Sequence, residues 1–85
     1  MPYMYTDEPE RIQFITEPWM VDQVIDWFGK DIKIENSDDK NQVRVSLMAS
    51  PYAMEHWAMQ YLNHVEVIAP EHLRNKIKEN FTKEE

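Results

Sequence analysis

Apolar and polar side chains alternate over residues 11–15, and this two-residue repeat predicts a strand with Ile12 and Phe14 on its buried face. The apolar repeat then lengthens to three and four residues, which predicts a helix. The apolar positions of that helix are Val21, Val24, Ile25 and Phe28. Thr16 offers an oxygen for the helix N-cap, and Gly29, the single glycine of the chain, is expected to end the helix.

Two further alternating segments flank a polar turn, and together they predict an antiparallel hairpin. In residues 31–35 the inward side chains are those of Ile32 and Ile34. Residues 42–48 have the clearest strand pattern of the chain. The inward side chains of this strand are Val43, Val45 and Leu47. The polar residues 36–41 between the two segments have the composition of a turn.

The remainder of the chain predicts a helix, a short strand and a final helix. Ser50 and Pro51 form an N-cap and a first helical turn, and apolar residues at helical spacing continue to about Leu62. Residues 65–68 have the pattern of a fourth strand, and a last helix begins near Glu71. The apolar positions of this last helix are Leu73, Ile77 and Phe81.

The order of the predicted elements is βαββαβ, followed by an added C-terminal helix. Two βαβ units joined by a hairpin form the split arrangement of the ferredoxin-like fold. We therefore expect an α+β sandwich, in which a four-stranded antiparallel sheet of spatial order 4-1-3-2 carries both crossover helices on one face. Residues 1–10 lack periodicity and are interpreted as a linker, and residues 11–85 as the domain.

Composition and charge restrict the classes of function. The chain of 85 residues has room for one domain, and 16 acidic against 9 basic residues give a net charge of −7. Phosphate backbones repel such a surface on average, so the domain is not expected to hold nucleic acid by itself. The lack of cysteine removes disulfides and thiolate metal sites, and the apolar runs are far shorter than the ~20 residues of a membrane span. We interpret the chain as cytoplasmic.

The sequence shows no pattern typical of a catalytic, metal or cofactor site. The histidines His56, His64 and His72 lack the i, i+4 spacing of a helical zinc site. A single glycine cannot form a glycine-rich phosphate loop, which also disfavours an acylphosphatase on this fold. We therefore expect no catalytic residues, no metal ion and no cofactor.

Three cations are expected on the sheet face that the crossover helices leave uncovered. Arg11 and Arg44 take outward positions on the neighbouring strands 1 and 3, and Lys33 on strand 2 is expected beside Arg44. These side chains are candidates for binding an anion, a nucleotide or an acidic partner. The carboxylates expected on the same face are Asp31, Glu35 and Glu66. Cross-strand pairing with these carboxylates is the simpler interpretation of the cations.

The chain carries more large apolar side chains than so small a core easily hides. Trp19 and Trp27 lie off the main apolar stripe of the first helix, and Met48 lies on the uncovered sheet face. Tryptophan and methionine are enriched at interfaces, so these three residues are candidates for contact with a partner. Local covering of the helix ends is the alternative interpretation.

Five strings spread over the chain carry a resemblance to a known family. They are MPYMY at residues 1–5, EPERI at 8–12, VIDWFGKD at 24–31, MEHWAMQY at 54–61 and VEVIAPEHLR at 65–74. Together they make residues 1–81 similar to the C-terminal extension (WCX) domain of bacterial WYL-domain transcriptional regulators. Asn63 departs from the pattern, since relatives often carry glycine at this helix exit.

The resemblance implies a larger protein, in which residues 1–10 form the linker from a WYL domain missing here. An N-terminal winged helix-turn-helix would bind DNA, and the extension would pack against a WYL domain in a homodimer. The extension would help to sense an effector, with nucleotides or single-stranded nucleic acid as proposed signals, and it would hold no catalytic residue. We expect a regulatory and assembly domain; the alternative is a free-standing ACT-like domain that binds a small ligand.

Overall fold

A computed structural model describes the backbone of residues 8–83 and the side chains of residues 8–80. Four strands and three α-helices follow one another along this part of the chain. They are β1 (Glu10–Thr16), α1 (Val21–Phe28), β2 (Lys33–Asn36), β3 (Val43–Ala49), α2 (Pro51–Gln60), β4 (Val65–Ala69) and α3 (Glu71–Lys83), with a 3₁₀ turn at Pro18–Met20 before α1. None of the described helices is both long and apolar enough to cross a membrane.

The strands form one antiparallel sheet in the order β2-β3-β1-β4. This is the order expected from the sequence, and it confirms the ferredoxin-like α+β fold with an added C-terminal helix. β1 begins at Glu10, the last residue of the predicted linker, and residues 1–7 lie outside the described part. The central strands β1 and β3 pair along their full lengths, from Glu10 opposite Ala49 to Thr16 opposite Val43.

The core lies between the sheet and the helices, with Trp57 of α2 at its centre. The Trp57 side chain has no exposed surface, and its ring centroid lies 5.6 Å from that of Phe14 and 5.5 Å from that of Phe28. Leu73 and Ile77 of α3 are also buried, which confirms two of the three apolar positions predicted for the last helix. The third, Phe81, lies outside the described side chains. Each fully buried side chain of this size contributes about 1.5–3 kcal/mol to folding.

The beginning of the first helix differs from the prediction. Thr16 does not cap it; the buried Thr16 hydroxyl donates a hydrogen bond to the backbone carbonyl of His64, with 2.7 Å between the oxygens. Pro18 instead opens a 3₁₀ turn, in which the Met20 amide donates to the Glu17 carbonyl at 2.9 Å. A buried polar group needs a hydrogen-bond partner, and Thr16 finds one because the C-terminal end of β1 lies beside the α2–β4 loop.

The ends of the helices follow their local sequence. The Ser50 hydroxyl accepts a hydrogen bond from the Ala53 amide at 3.1 Å, as expected of the predicted N-cap. Gly29 ends α1 with its amide donating to the Ile25 carbonyl at 2.8 Å. Its φ of 90° and ψ of 179° form an extended positive-φ conformation, which glycine alone adopts readily, rather than the left-handed helical one.

Candidate binding surface on the open sheet face

The side of the sheet opposite the buried face of Ile12, Phe14 and Val45, here named the open face, is organised in rows across the strands. The first row contains Glu35, Arg44, Ile15 and Glu66. The second row contains Lys33, Ser46 and Gln13. The third row contains Met48 and Arg11. Side chains within a row are direct cross-strand neighbours, and those in adjacent rows are diagonal neighbours.

Arg44 occupies a half-buried position in the first row. Its Nε atom is buried and has no hydrogen-bond partner, and the guanidinium makes no ion pair with a described residue. Glu35 is its cross-strand neighbour, but the Glu35 carboxylate pairs with Lys33, whose Nζ lies 3.6 Å away. Within the described part of the chain, Arg44 therefore holds a buried donor whose hydrogen bond is unmet.

The three cations predicted from the sequence do not form one cluster. Arg11 lies opposite Met48, four residues along β3 from Arg44, so the two arginines are about 13 Å apart along the strands. Lys33 lies opposite Ser46 and is a diagonal neighbour of Arg44, as well as the ion-pair partner of Glu35. Arg44 is thus the half-buried cation, whereas Arg11 and Lys33 are exposed.

A cleft of about 360 Å³ adjoins the first row where α3 runs beside β4. Its charged and polar lining consists of Glu17, Gln42, Asn63, His64, Glu66, Arg74 and Lys78. Its apolar lining consists of Ile15, Leu62, Val65, Val67 and Ile77. Ile15 is the direct cross-strand neighbour of Arg44, so the cleft begins one strand away from the unmet Nε donor. The volume lies in the lower part of the range of small-ligand sites.

The cleft was not predicted from the sequence, because its walls come from segments far apart in the chain. Arg74 reaches it only because α3 packs against β4 and α2. This arginine is half-buried and makes no ion pair with a described residue. The described residues contain no group of three or more histidine, aspartate or glutamate side chains that could hold a metal ion.

A family comparison supplies the context for this surface. The model of the WCX domain family matches residues 8–83, which is nearly the whole chain. The chain belongs to the WCX domain family. This finding agrees with the resemblance to the C-terminal extension of WYL-type regulators, and it gives the domain a regulatory context. A search of curated proteins finds no significant match.

One further contact in this WCX domain joins the end of β1 to the α2–β4 loop. His64 Nδ1 lies 2.6 Å from Glu17 Oε1, and the Trp19 ring packs edge-on against the imidazole with 5.0 Å between centroids. Together with the Thr16 hydrogen bond, these contacts fix one end of the cleft. This pair has no signal in the sequence, because Glu17 and His64 are 47 residues apart.

The apolar residues predicted for an interface are exposed in the WCX domain but lie on different elements. The exposed fractions are 58% for Trp19, 55% for Trp27 and 56% for Met48. Trp19 lies before α1, Trp27 lies in its last turn, and Met48 lies on the open face opposite Arg11. Tyr52 in the first turn of α2 is 62% exposed and was not singled out by its sequence pattern.

Proposed function

We propose that this WCX domain is a non-catalytic regulatory and assembly domain of a bacterial WYL-type transcriptional regulator in the cytoplasm. The open face around Arg44, together with the adjoining cleft, would receive an anionic effector or an acidic group of a partner. The observation that carries the proposal is the buried, unpartnered Nε of Arg44 in a member of this family. Arg11 and Lys33 would add positive charge at the periphery of the site.

The energetics of Arg44 support an anion at this position. A buried donor without a partner costs about 1–3 kcal/mol, and an incoming anion recovers this energy through a charge-assisted hydrogen bond. The nearest carboxylate across the strands, that of Glu35, already pairs with Lys33. Arg74 in the cleft wall offers a second guanidinium, and Ile15, which neighbours Arg44 and also lines the cleft, offers an apolar contact. A small nucleotide combines the anionic and apolar parts that such a surface would bind.

The proposed partners of the domain follow from the WYL-regulator context. Its own WYL domain and a second protomer would contact it, with Trp19, Trp27 and Met48 as apolar contact residues. DNA would be bound by a helix-turn-helix domain elsewhere in the parent protein, since the net charge of −7 repels on average the long phosphate backbone of a duplex. The effector would act by favouring one arrangement of these contacts over another.

The test of the proposal uses the intact regulator in its own cells. Arg44→Ala removes the unmet donor, and Lys40→Ala removes an exposed cation in the β2–β3 turn as a matched control. Chromatin immunoprecipitation first maps the bound promoters, and a reporter at one of them measures the response to the inducing condition. We expect Arg44→Ala to reduce the response about tenfold or more, because one charge-assisted contact with the effector is lost. Lys40→Ala is expected to leave the response within about twofold of the wild type.

Two results would overturn the proposal. An unchanged response and unchanged promoter occupancy in the Arg44→Ala regulator would remove Arg44 from effector sensing. The same result in the Arg11→Ala/Arg44→Ala double variant, with unchanged assembly, would remove the open face as the site.

A free-standing ACT-like ligand-binding domain is the second candidate, and the cleft of about 360 Å³ favours it. The two functions differ in the size of the native protein. An antibody against this domain would detect a band several times larger than the 10.3 kDa chain if it belongs to a regulator. A band at the size of the chain itself would favour the ACT-like function, and a metabolite screen against the free domain would follow.

A further inference from the structure

The two edges of the sheet differ in how they are covered. β4 forms one edge, and α3 packs against it. β2 forms the other edge, and all four of its residues, Lys33–Asn36, are exposed. Ile34 points toward the helix side of the sheet, as its pairing with the buried Val45 shows, yet it remains 44% exposed. Among the strands of residues 8–83, none pairs with the outer edge of β2, which therefore presents free backbone groups together with an apolar side chain.

The charges along β2 are complementary to those of the same strand in the opposite direction. If two copies of β2 pair antiparallel about a two-fold axis at Ile34, Lys33 of each copy faces Glu35 of the other. Both side chains lie on the open face, so the paired charges also lie on one side of the joined sheet. Outside the strand, the same register places Lys30 opposite Asp38. The two Ile34 side chains meet on the helix side.

Neighbouring registers lack this complementarity. An axis at Lys33 would place two Lys33 side chains opposite each other and Glu35 opposite Asp31. An axis at Glu35 would place two Glu35 carboxylates opposite each other. A change of the pairing by one residue, rather than two, would place side chains of the helix side of one copy opposite those of the open face of the other. Of the axes at Lys33, Ile34 and Glu35, the pattern thus favours the one at Ile34, because like charges directly opposite destabilise a strand pair.

We propose that β2 is a self-association edge, through which two copies of this chain pair antiparallel about Ile34 into one continuous sheet. This inference rests on the assembly role proposed above and assigns a surface to it. The proposed occupant is a second copy, because Lys33 and Glu35 of one copy complement Glu35 and Lys33 of the other in this register. In the monomer the same two side chains pair with each other at 3.6 Å, and dimer formation exchanges this pairing for two pairings between copies.

The edge is short, so the association it supports is weak in the isolated domain. Four residues span about 13 Å, which is less contact than a stable dimer usually needs. Exposed ion pairs contribute little each, and most of the association comes from backbone hydrogen bonds and the Ile34 contact. Linkage to other dimer contacts in a parent protein would raise the effective concentration at this edge.

The experiment is sedimentation equilibrium of the 85-residue chain with four charge variants. Lys33→Glu and Glu35→Lys each create like-charge pairs across the proposed axis. Lys40→Glu in the turn and Glu79→Lys on α3 make the same changes of net charge away from the edge, on exposed residues. We expect the wild type to dimerise with a dissociation constant below about 1 mM, and each edge variant to weaken dimerisation about tenfold relative to its control.

Mixing the two edge variants is the decisive experiment, because it tests whether opposite charges restore dimerisation. Lys33→Glu presents two acidic groups and Glu35→Lys presents two basic groups, so an equimolar mixture is expected to form heterodimers of at least wild-type affinity. The Lys33→Glu/Glu35→Lys double variant is expected to restore the homodimer. Circular dichroism of each variant would show that the fold is retained, and recovery in the mixture cannot come from unfolded chains.

Three results would overturn the proposal: a wild-type chain that is monomeric up to about 1 mM, edge variants that match their controls, or a mixture without recovery. Each of them leaves the regulatory role to be decided by the Arg44→Ala response in the intact regulator. Conversely, a normal response in Arg44→Ala with a charge-dependent dimer would leave the β2 edge in place and remove the effector site. The two failures are therefore distinguishable.

Discussion

At the scale of single residues, Arg44 combines a structural cost with a proposed role. Its cross-strand neighbour Glu35 pairs with Lys33, and its Nε is buried without a hydrogen-bond partner. Residues whose environment lowers the stability of the free protein are often those that bind a partner, because the partner restores the missing interaction. Arg11, by comparison, is exposed, so its guanidinium is accessible to water.

Replacing Arg44 by methionine is expected to stabilise the isolated domain. Methionine keeps much of the apolar stem of arginine and removes the unpartnered donor, so we expect the free energy of unfolding to rise by about 1 kcal/mol. Urea denaturation followed by circular dichroism measures the change. Arg11→Met is the matched control and should stay within about 0.5 kcal/mol of the wild type, since its side chain is exposed. A loss of stability in Arg44→Met would show that the guanidinium has a partner in solution.

At the scale of the elements, the strands and helices follow from local sequence signals. The alternation in β1 and β3, the Ser50 cap and the Gly29 helix end were all predicted, because each depends on residues within one or two turns. The main local error concerned Thr16, whose hydroxyl bonds to the distant His64 carbonyl instead of capping α1. When a hydroxyl can bond either to a local amide or to a distant carbonyl, the neighbouring residues alone do not determine its hydrogen-bond partner.

Gly29→Ala tests whether backbone conformation alone requires glycine at the end of α1. Apart from its two chain neighbours, no described residue has an atom within 4 Å of a methyl group placed at this position, so packing against more distant residues does not exclude alanine. The φ of 90° remains unfavourable for alanine, and we expect a loss of stability of about 1–2 kcal/mol. Thermal unfolding measures this loss. The reverse substitution in a helix, Ala53→Gly in α2, serves as the comparison. A neutral Gly29→Ala would mean that the loop after α1 relaxes to a negative φ at little cost.

At the scale of the whole molecule, the sheet order was predictable from the sequence, but the details of the binding surface were not. The sequence placed Arg11 and Arg44 on one face of neighbouring strands, which the register confirms, yet it could not show the distance between them. The cleft depends on Arg74 of α3 lying beside β4, and its end depends on the contact between Glu17 and His64. Such contacts between distant segments leave no periodic signal in the chain, so they required the three-dimensional structure.

Hydrogen exchange offers a test of the sheet as a whole. The central strands β1 and β3 are paired and carry buried side chains such as Phe14 and Val45, so their amides should open only with global unfolding. The amides of β2, in a four-residue edge strand with every residue exposed, should exchange at least about tenfold faster at low protein concentration.

The dependence of that exchange on concentration distinguishes a free edge from a paired one. If two copies join through β2, the protection of Lys33–Asn36 rises with protein concentration, while that of β1 changes little. The Lys33→Glu variant should lose this concentration dependence and retain the slow exchange of β1, because the like charges act only between copies. Protection of β2 that is independent of concentration in both proteins would place the partner of this edge within the same chain, and fast exchange at all concentrations would leave the edge unpaired.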